Sequence, residues 1–135
     1  MFPKPLSQHQ INALGILAVA SVGDSVYDLL VRTRLCKQGF AQAEDVHTMR
    51  VKHVNARAQA LAAERVLPLL TDEEAAVFRR GRNAQPGSIP ASASRAEYQS
   101  ATALEALFGW LWLSGRIERI YELFEGAIDE PTSAT

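Results

Sequence analysis

Leu17-Ala-Val-Ala-Ser-Val-Gly-Asp-Ser-Val-Tyr-Asp28-Leu-Leu30 is one of the two most apolar stretches of the chain, and it carries an aspartate, Asp24, in its middle. The other, Ala101-Thr-Ala-Leu-Glu-Ala-Leu-Phe-Gly-Trp-Leu-Trp-Leu113, carries Glu105 in the same way. Neither stretch holds a proline or sustained β-branched alternation, so both read as helices drawn into or beside the core. A buried, unpaired carboxylate must shift its pKa, find a cation or bind a metal. The nearest following cations, Arg32 and Arg116, lie about two or more helical turns away.

On a 3.6-residue wheel Asp24 shares a face with Leu17, Ala20, Ser21, Tyr27, Asp28 and Val31, and Gly23 precedes it. Glu105 sits with Ala101, Thr102, Phe108, Gly109 and Trp112. Small neighbours leave room beside each acid for a metal, a water or another helix. Oxygen-only donors with space for water suit Mg2+. Two acids from distant parts of one small fold suggest a shared divalent-cation site. The plain alternative is that each is solvated or locally paired, as single acids on helices ordinarily are, and the residues alone leave both open.

The rest of the chain extends the helical pattern, so the predicted fold class is all-α. One long helix is expected from about Asn12, as a cap, to Lys37, with Gly39 as the stop. A second helical region runs from about Ala43 to Leu70, divided near Asn55 and Pro68. Thr71-Asp-Glu-Glu74 and Ser94-Arg-Ala-Glu97 are capping boxes. The first opens a short helix ending near Arg82; the second opens the helix of Glu105, which closes around Ser114-Gly115. A last amphipathic helix, roughly Ile117 to Ile128, places Ile117, Ile120, Tyr121, Phe124 and Ile128 on one side. Between the boxes, residues 83–93 form the one substantial loop. Residues 1–6 and 130–135 read as frayed ends.

At 135 residues and 47% apolar content the chain fits a single domain with a core of its own. A single cysteine, Cys36, excludes an intrachain disulfide framework and agrees with a reducing, cytoplasmic setting. No segment reads as a signal peptide or a membrane span. Fourteen Lys and Arg against fifteen Asp and Glu argue against a chain that coats itself in nucleic acid. The cations are nevertheless concentrated between Arg50 and Arg82, and acids crowd the C-terminal end. Arg79-Arg-Gly-Arg-Asn83 offers guanidinium forks around a glycine, a phosphate-binding arrangement whose bland counterpart is a solvated helix end. His47, Lys52, His53, Arg57 and Gln59 form a second polar set with a common helix face for much of it. Phe108, Trp110, Trp112 and Tyr121 fit core or subunit interface better than a base-stacking platform, because leucines interleave them at helical spacing.

Val22-Gly-Asp-Ser-Val-Tyr-Asp28, His53-Val-Asn-Ala-Arg-Ala-Gln-Ala60, Arg79-Arg-Gly-Arg-Asn-Ala84 and the run from Ala101 to Arg119 together resemble the Mini-ribonuclease III family, in the right order and over nearly the whole chain. The resemblance implies a ribonuclease III endonuclease domain that works as a homodimer without an appended double-stranded-RNA-binding domain. Asp24 matches the aspartate of the family's Gly-Asp motif and Glu105 its second catalytic, metal-binding acid. Where larger ribonuclease III enzymes carry further acids, this chain has Ala20 and Thr102. Asp28 is open to a water-mediated role or a structural one. The activity implied is Mg2+-dependent hydrolysis of double-stranded RNA to 5′-phosphate and 3′-hydroxyl ends, on precursor 23S ribosomal RNA, with a ribosomal protein or the large-subunit particle as a further partner. Lys52, His53, Arg57, Arg79, Arg80, Arg82 and Asn83 would then hold the duplex. The competing class is a non-catalytic RNA-binding or ribosome-assembly module of the same fold.

Overall fold

A computed structural model describes residues 4–84 and 94–128. The described residues form seven α-helices and one 3₁₀ turn, with no strand among them: α1 Gln8–Asn12, α2 Ile16–Lys37, α3 Ala43–Val51, α4 Ala56–Val66, the 3₁₀ turn Leu67–Leu69, α5 Asp72–Arg82, α6 Arg95–Leu113 and α7 Ile117–Ala127. The all-α expectation holds. Most of the expected calls of residues 83–93 and 130–135, from Gln85 on in the loop and throughout the tail, fall outside the described residues.

Local chemistry sets most boundaries. Both capping boxes form: Thr71 Oγ1 accepts from Glu74 N–H and the Glu74 carboxylate accepts from Thr71 N–H, with the same exchange between Ser94 and Glu97. Asn55 caps α4 by accepting from Ala58 N–H at 2.9 Å, and Pro68 sits in the 3₁₀ turn that ends it. Gly39 and Gly115 follow α2 and α6 with φ of +102° and +74°, a region costly for other residues.

The start of the long helix differs from expectation. Asn12 does not cap α2; it is the last residue of α1, which a third capping box, Ser7 with Gln10, opens. Gly15 is the N-cap of α2. Ile11 is the buried residue of α1, so this short helix packs on the core ahead of α2. Residues 4–6, expected to fray, are held as well: Leu6 N–H donates to the Leu113 carbonyl at 2.8 Å.

Helix α6 is the axis of the molecule. From Ala101 to Leu111 every residue but Glu105 is buried, as a helix apolar on all sides requires. It packs against α2, α4 and α5, with α7 closing the end. Helices α2 and α6 approach at two glycines. A Cβ on Gly23 would collide with the Glu105 carbonyl and lie 2.7 Å from the Gly109 amide nitrogen, and one on Gly109 would collide with the Val19 carbonyl. Gly81 plays the same part between α5 and α6, where a Cβ would lie 2.7 Å from Ala106 Cβ. Tyr27 fills the interior beside this seam, edge-on to Phe108 at 5.4 Å and to Phe124 at 5.5 Å.

Helix α7 is tied to α5 by a buried ion pair. Glu74 is 2% exposed; its Oε2 accepts from Arg119 Nε at 2.8 Å and its Oε1 from Arg119 Nη2 at 2.9 Å and from Thr71 N–H at 3.0 Å. The capping-box glutamate therefore also serves tertiary packing. Arg119 Nη2 donates further to the Leu69 carbonyl at 2.8 Å. The apolar side of α7 is Ile120, Leu123, Phe124 and Ala127, whereas Tyr121, expected there, is 55% exposed.

Candidate active site

The glycine seam decides the site. Because the α2 and α6 backbones nearly touch at Gly23, the next residue of α2, Asp24, and the residue whose carbonyl meets Gly23, Glu105, come side by side. Eighty-one positions of sequence separate them. The acids are not equally placed: of two acids expected in or beside the core, Glu105 is half-buried and Asp24 is exposed. On α2 the buried residues are Val19, Ala20, Gly23, Val26, Tyr27, Val31 and Leu35, so Asp24 falls on the edge of the buried stripe.

Burial pushes the Glu105 carboxyl up to about 8, helped by the charge of Asp24 and a hydrogen bond shared with it, while the neighbouring Gln59 side chain works the other way. Among the described residues, the ion pairs engage Asp28, Glu73, Glu74, Glu122 and Glu125, and neither Asp24 nor Glu105. Two adjacent carboxylates without a cation of their own suit a divalent ion. No third His, Cys, Asp or Glu joins them among the described residues. Two oxygen donors at the protein edge fit Mg2+, which keeps much of its water shell.

Neighbouring positions explain why the acid set stops at two. Ala20 is buried, and Thr102 is buried with its hydroxyl donating to the Tyr98 carbonyl at 2.9 Å on its own helix. Asp28, one turn beyond Asp24, accepts from Arg32 at 2.8 Å and from Arg50 of α3. Burial opposes its charge, but these two guanidiniums outweigh burial and hold its carboxyl below the ordinary range. Asp28 is thus a clamp between α2 and α3.

The basic residues separate into groups. Arg79, Arg80 and Asn83 at the end of α5 line an open groove of about 660 Å³ with Leu14, Gly15 and Ile16 at the start of α2. Lys52 and His53, in the turn between α3 and α4, line a cavity of about 260 Å³ with Tyr27 and Arg65. Burial, and then the charges of Arg34 and Lys52, hold the His53 imidazole below its usual value, so at neutral pH it is uncharged. Arg57 is exposed on the first turn of α4. Arg82 lies over the Phe78 ring at 6.0 Å and is half-buried. The helix face expected for much of the set His47, Lys52, His53, Arg57 and Gln59 does not form: α3 ends at Val51, and Gln59 turns inward to 4% exposure while Arg57 points out. Trp110 and Phe108 are buried within the chain, and Arg116 stacks on Trp110 at 4.5 Å.

The pattern of the ribonuclease III domain matches residues 17–116, which contain both acids and the glycine seam. The chain belongs to the Mini-ribonuclease III branch of the ribonuclease III family. A Mini-ribonuclease 3 from Symbiobacterium thermophilum is 42% identical over 113 residues, 84% of this chain and 87% of the relative. One from Gloeobacter violaceus is 44% identical over 79% of this chain and 78% of its own. A crystal structure of a Fusobacterium nucleatum protein superposes with a TM-score of 0.77 at 27% identity, covering 85% of this chain and 92% of that one. The chain is accordingly an endoribonuclease of the ribonuclease III family, a family that is generally metal-dependent and acts on double-stranded RNA. Among the described residues no helix of this Mini-ribonuclease III relative is long and apolar enough to cross a membrane.

Proposed function

We propose that the chain is a Mg2+-dependent endoribonuclease that cuts double-stranded RNA as a homodimer and matures the ends of precursor 23S ribosomal RNA in the cytoplasm. The observation that carries this reading is the Asp24–Glu105 pair held at the Gly23 and Gly109 crossing without a cation of its own. Asp24 and Glu105 would hold the Mg2+. When bound, it would supply an activated water and charge neutralisation for attack on a phosphodiester, leaving 5′-phosphate and 3′-hydroxyl ends.

The chain's own contribution is placement. Asp24, exposed, presents its carboxylate to incoming RNA, and Glu105, half-buried, is shielded behind it. The groove of Arg79, Arg80 and Asn83 opens at Gly15 and Ile16, about 12 Å before Asp24 along α2, and the Lys52–His53 cavity opens at Tyr27, about 4.5 Å beyond it. Phosphates bound at these two places would bracket the acids. Lys52, Arg57, Arg79 and Arg80 act as cations, His53 and Asn83 as neutral hydrogen-bonding groups, and Arg82 is partly committed to Phe78. A two-fold dimer matches the two-fold symmetry of a duplex, with each acid pair cutting one strand.

The test is cleavage of a long RNA duplex and of precursor 23S ribosomal RNA, free and within the large-subunit particle, with and without Mg2+, beside Asp24→Asn and Glu105→Gln. Cuts that require Mg2+, leave 5′-phosphates and vanish in both variants are expected. A folded dimer that binds these RNAs and cuts none would replace the reading by a non-catalytic RNA-binding or assembly module.

A further inference from the structure

Gln59 is a polar residue in a seam that has no packing use for one. It is 4% exposed on α4, whose other buried residues are Ala62, Ala63 and Val66, and α4 packs along α6. The other buried polar side chains among the described residues are occupied: Glu74 by Arg119 and Thr71, and Thr102 by the Tyr98 carbonyl. The Gln59 Nε2 completes no hydrogen bond. An unsatisfied buried amide lowers stability, a cost that a leucine or methionine of similar volume would avoid. Helix α6 carries Glu105 against this face of α4, and the Gln59 side chain is close enough to the Glu105 carboxyl to favour its charged form.

We propose that Gln59 is a positioning residue for Glu105: its buried side-chain amide donates to the Glu105 carboxylate and thereby sets how tightly the Asp24–Glu105 pair holds a divalent cation. The inference rests on the metal reading above. Asp24 is exposed to solvent; Glu105, half-buried, takes its orientation from what lies behind it, and Gln59 is the donor there. A donor behind a ligating carboxylate limits its rotation, and the loss of such partners typically lowers metal affinity about 10–100-fold. The orphaned Nε2 is then a donor kept for the ionised carboxylate.

The experiment measures Mn2+ binding to the RNA-free full-length protein by electron paramagnetic resonance, for wild type, Gln59→Leu, Gln59→Met and Asp24→Asn, with thermal melts alongside. The proposal expects both Gln59 variants to melt at or above the wild-type temperature and to bind Mn2+ about tenfold more weakly. It also expects the Mg2+ concentration for half-maximal RNA cleavage to rise by the same factor, with the maximal rate restored at saturating Mg2+. A loss of affinity below threefold in folded variants, or failure of both variants to fold, would overturn it in favour of a purely structural glutamine. Equal Mn2+ binding by wild type and Asp24→Asn would instead remove the metal reading of the acid pair, and this proposal with it.

Discussion

Two glutamates of this chain are both withdrawn from solvent, with opposite outcomes. Burial opposes the charge of Glu74, but the hydrogen bonds and charge of Arg119, with the Thr71 N–H, hold its carboxyl below the ordinary 4.5. Glu105 has only Gln59 on its side and rises to about 8. The linkage signs follow. Glu74, like Asp28, contributes stability that is present above its unfolded-state value and is lost as pH falls through its lower folded value. Glu105, whose folded value is raised, makes the metal-free fold less stable as pH climbs from about 4.5 toward 8. Urea unfolding of metal-free protein should therefore show Glu105→Gln gaining on wild type across that window, by on the order of 1 kcal/mol at pH 8, while RNA cleavage is lost. Arg119→Ala should cost about 3 kcal/mol by leaving Glu74 charged and buried, and the pH dependence below about 4.5 should shrink in that variant.

At the scale of elements, the site depends on how closely two helices approach. Gly23→Ala forces the α2 and α6 backbones apart, because its Cβ would meet the Glu105 carbonyl and not a side chain able to move aside. Overpacking of this kind costs about 1–3 kcal/mol or more. The same displacement separates Asp24 from Glu105. Gly23→Ala and Gly109→Ala should each lower the melting temperature and abolish cleavage together, whereas Gly126→Ala, whose Cβ would meet only the Leu69 Cδ1 methyl at 2.7 Å, should leave most of the activity intact. Circular dichroism melts paired with duplex cleavage would check all three. The Asp28 clamp to Arg50 couples α3, and so the turn bearing Lys52 and His53, to the helix that carries Asp24.

Over the whole molecule, near-neutral net charge and a few exposed cations imply, on the proposed function, that RNA would be held by a small number of phosphate contacts. Affinity should fall steeply with salt, and each lost contact should flatten the slope of log affinity against log salt by roughly 1. Arg79→Ala and Arg80→Ala, in the groove at the start of α2, should weaken duplex binding uniformly across sequences and each reduce that slope; Arg82→Ala, whose guanidinium lies on Phe78, should reduce it less. Filter binding between 50 and 200 mM salt would measure this.

Sequence by itself determined what depends on a few consecutive residues: most of the helices, the Thr71 and Ser94 capping boxes, the break near Asn55, the glycine stops at Gly39 and Gly115, and the motifs that identify the family. These are settled by local hydrogen bonding and apolar periodicity, which act within a turn or two of helix. The Ser7–Gln10 box was equally readable but hidden in a polar start. What only the tertiary structure decided is which side each residue faces once the helices compete for one core. The Gly23–Gly109 approach leaves Asp24 at the edge and Glu105 inside, Gln59 turns inward while Arg57 turns out, Tyr121 faces solvent, and Asp28 is claimed by Arg50. Those outcomes are set by backbone distances and by partners distant in sequence, Gly23 and Gly109 among them, which no local pattern encodes.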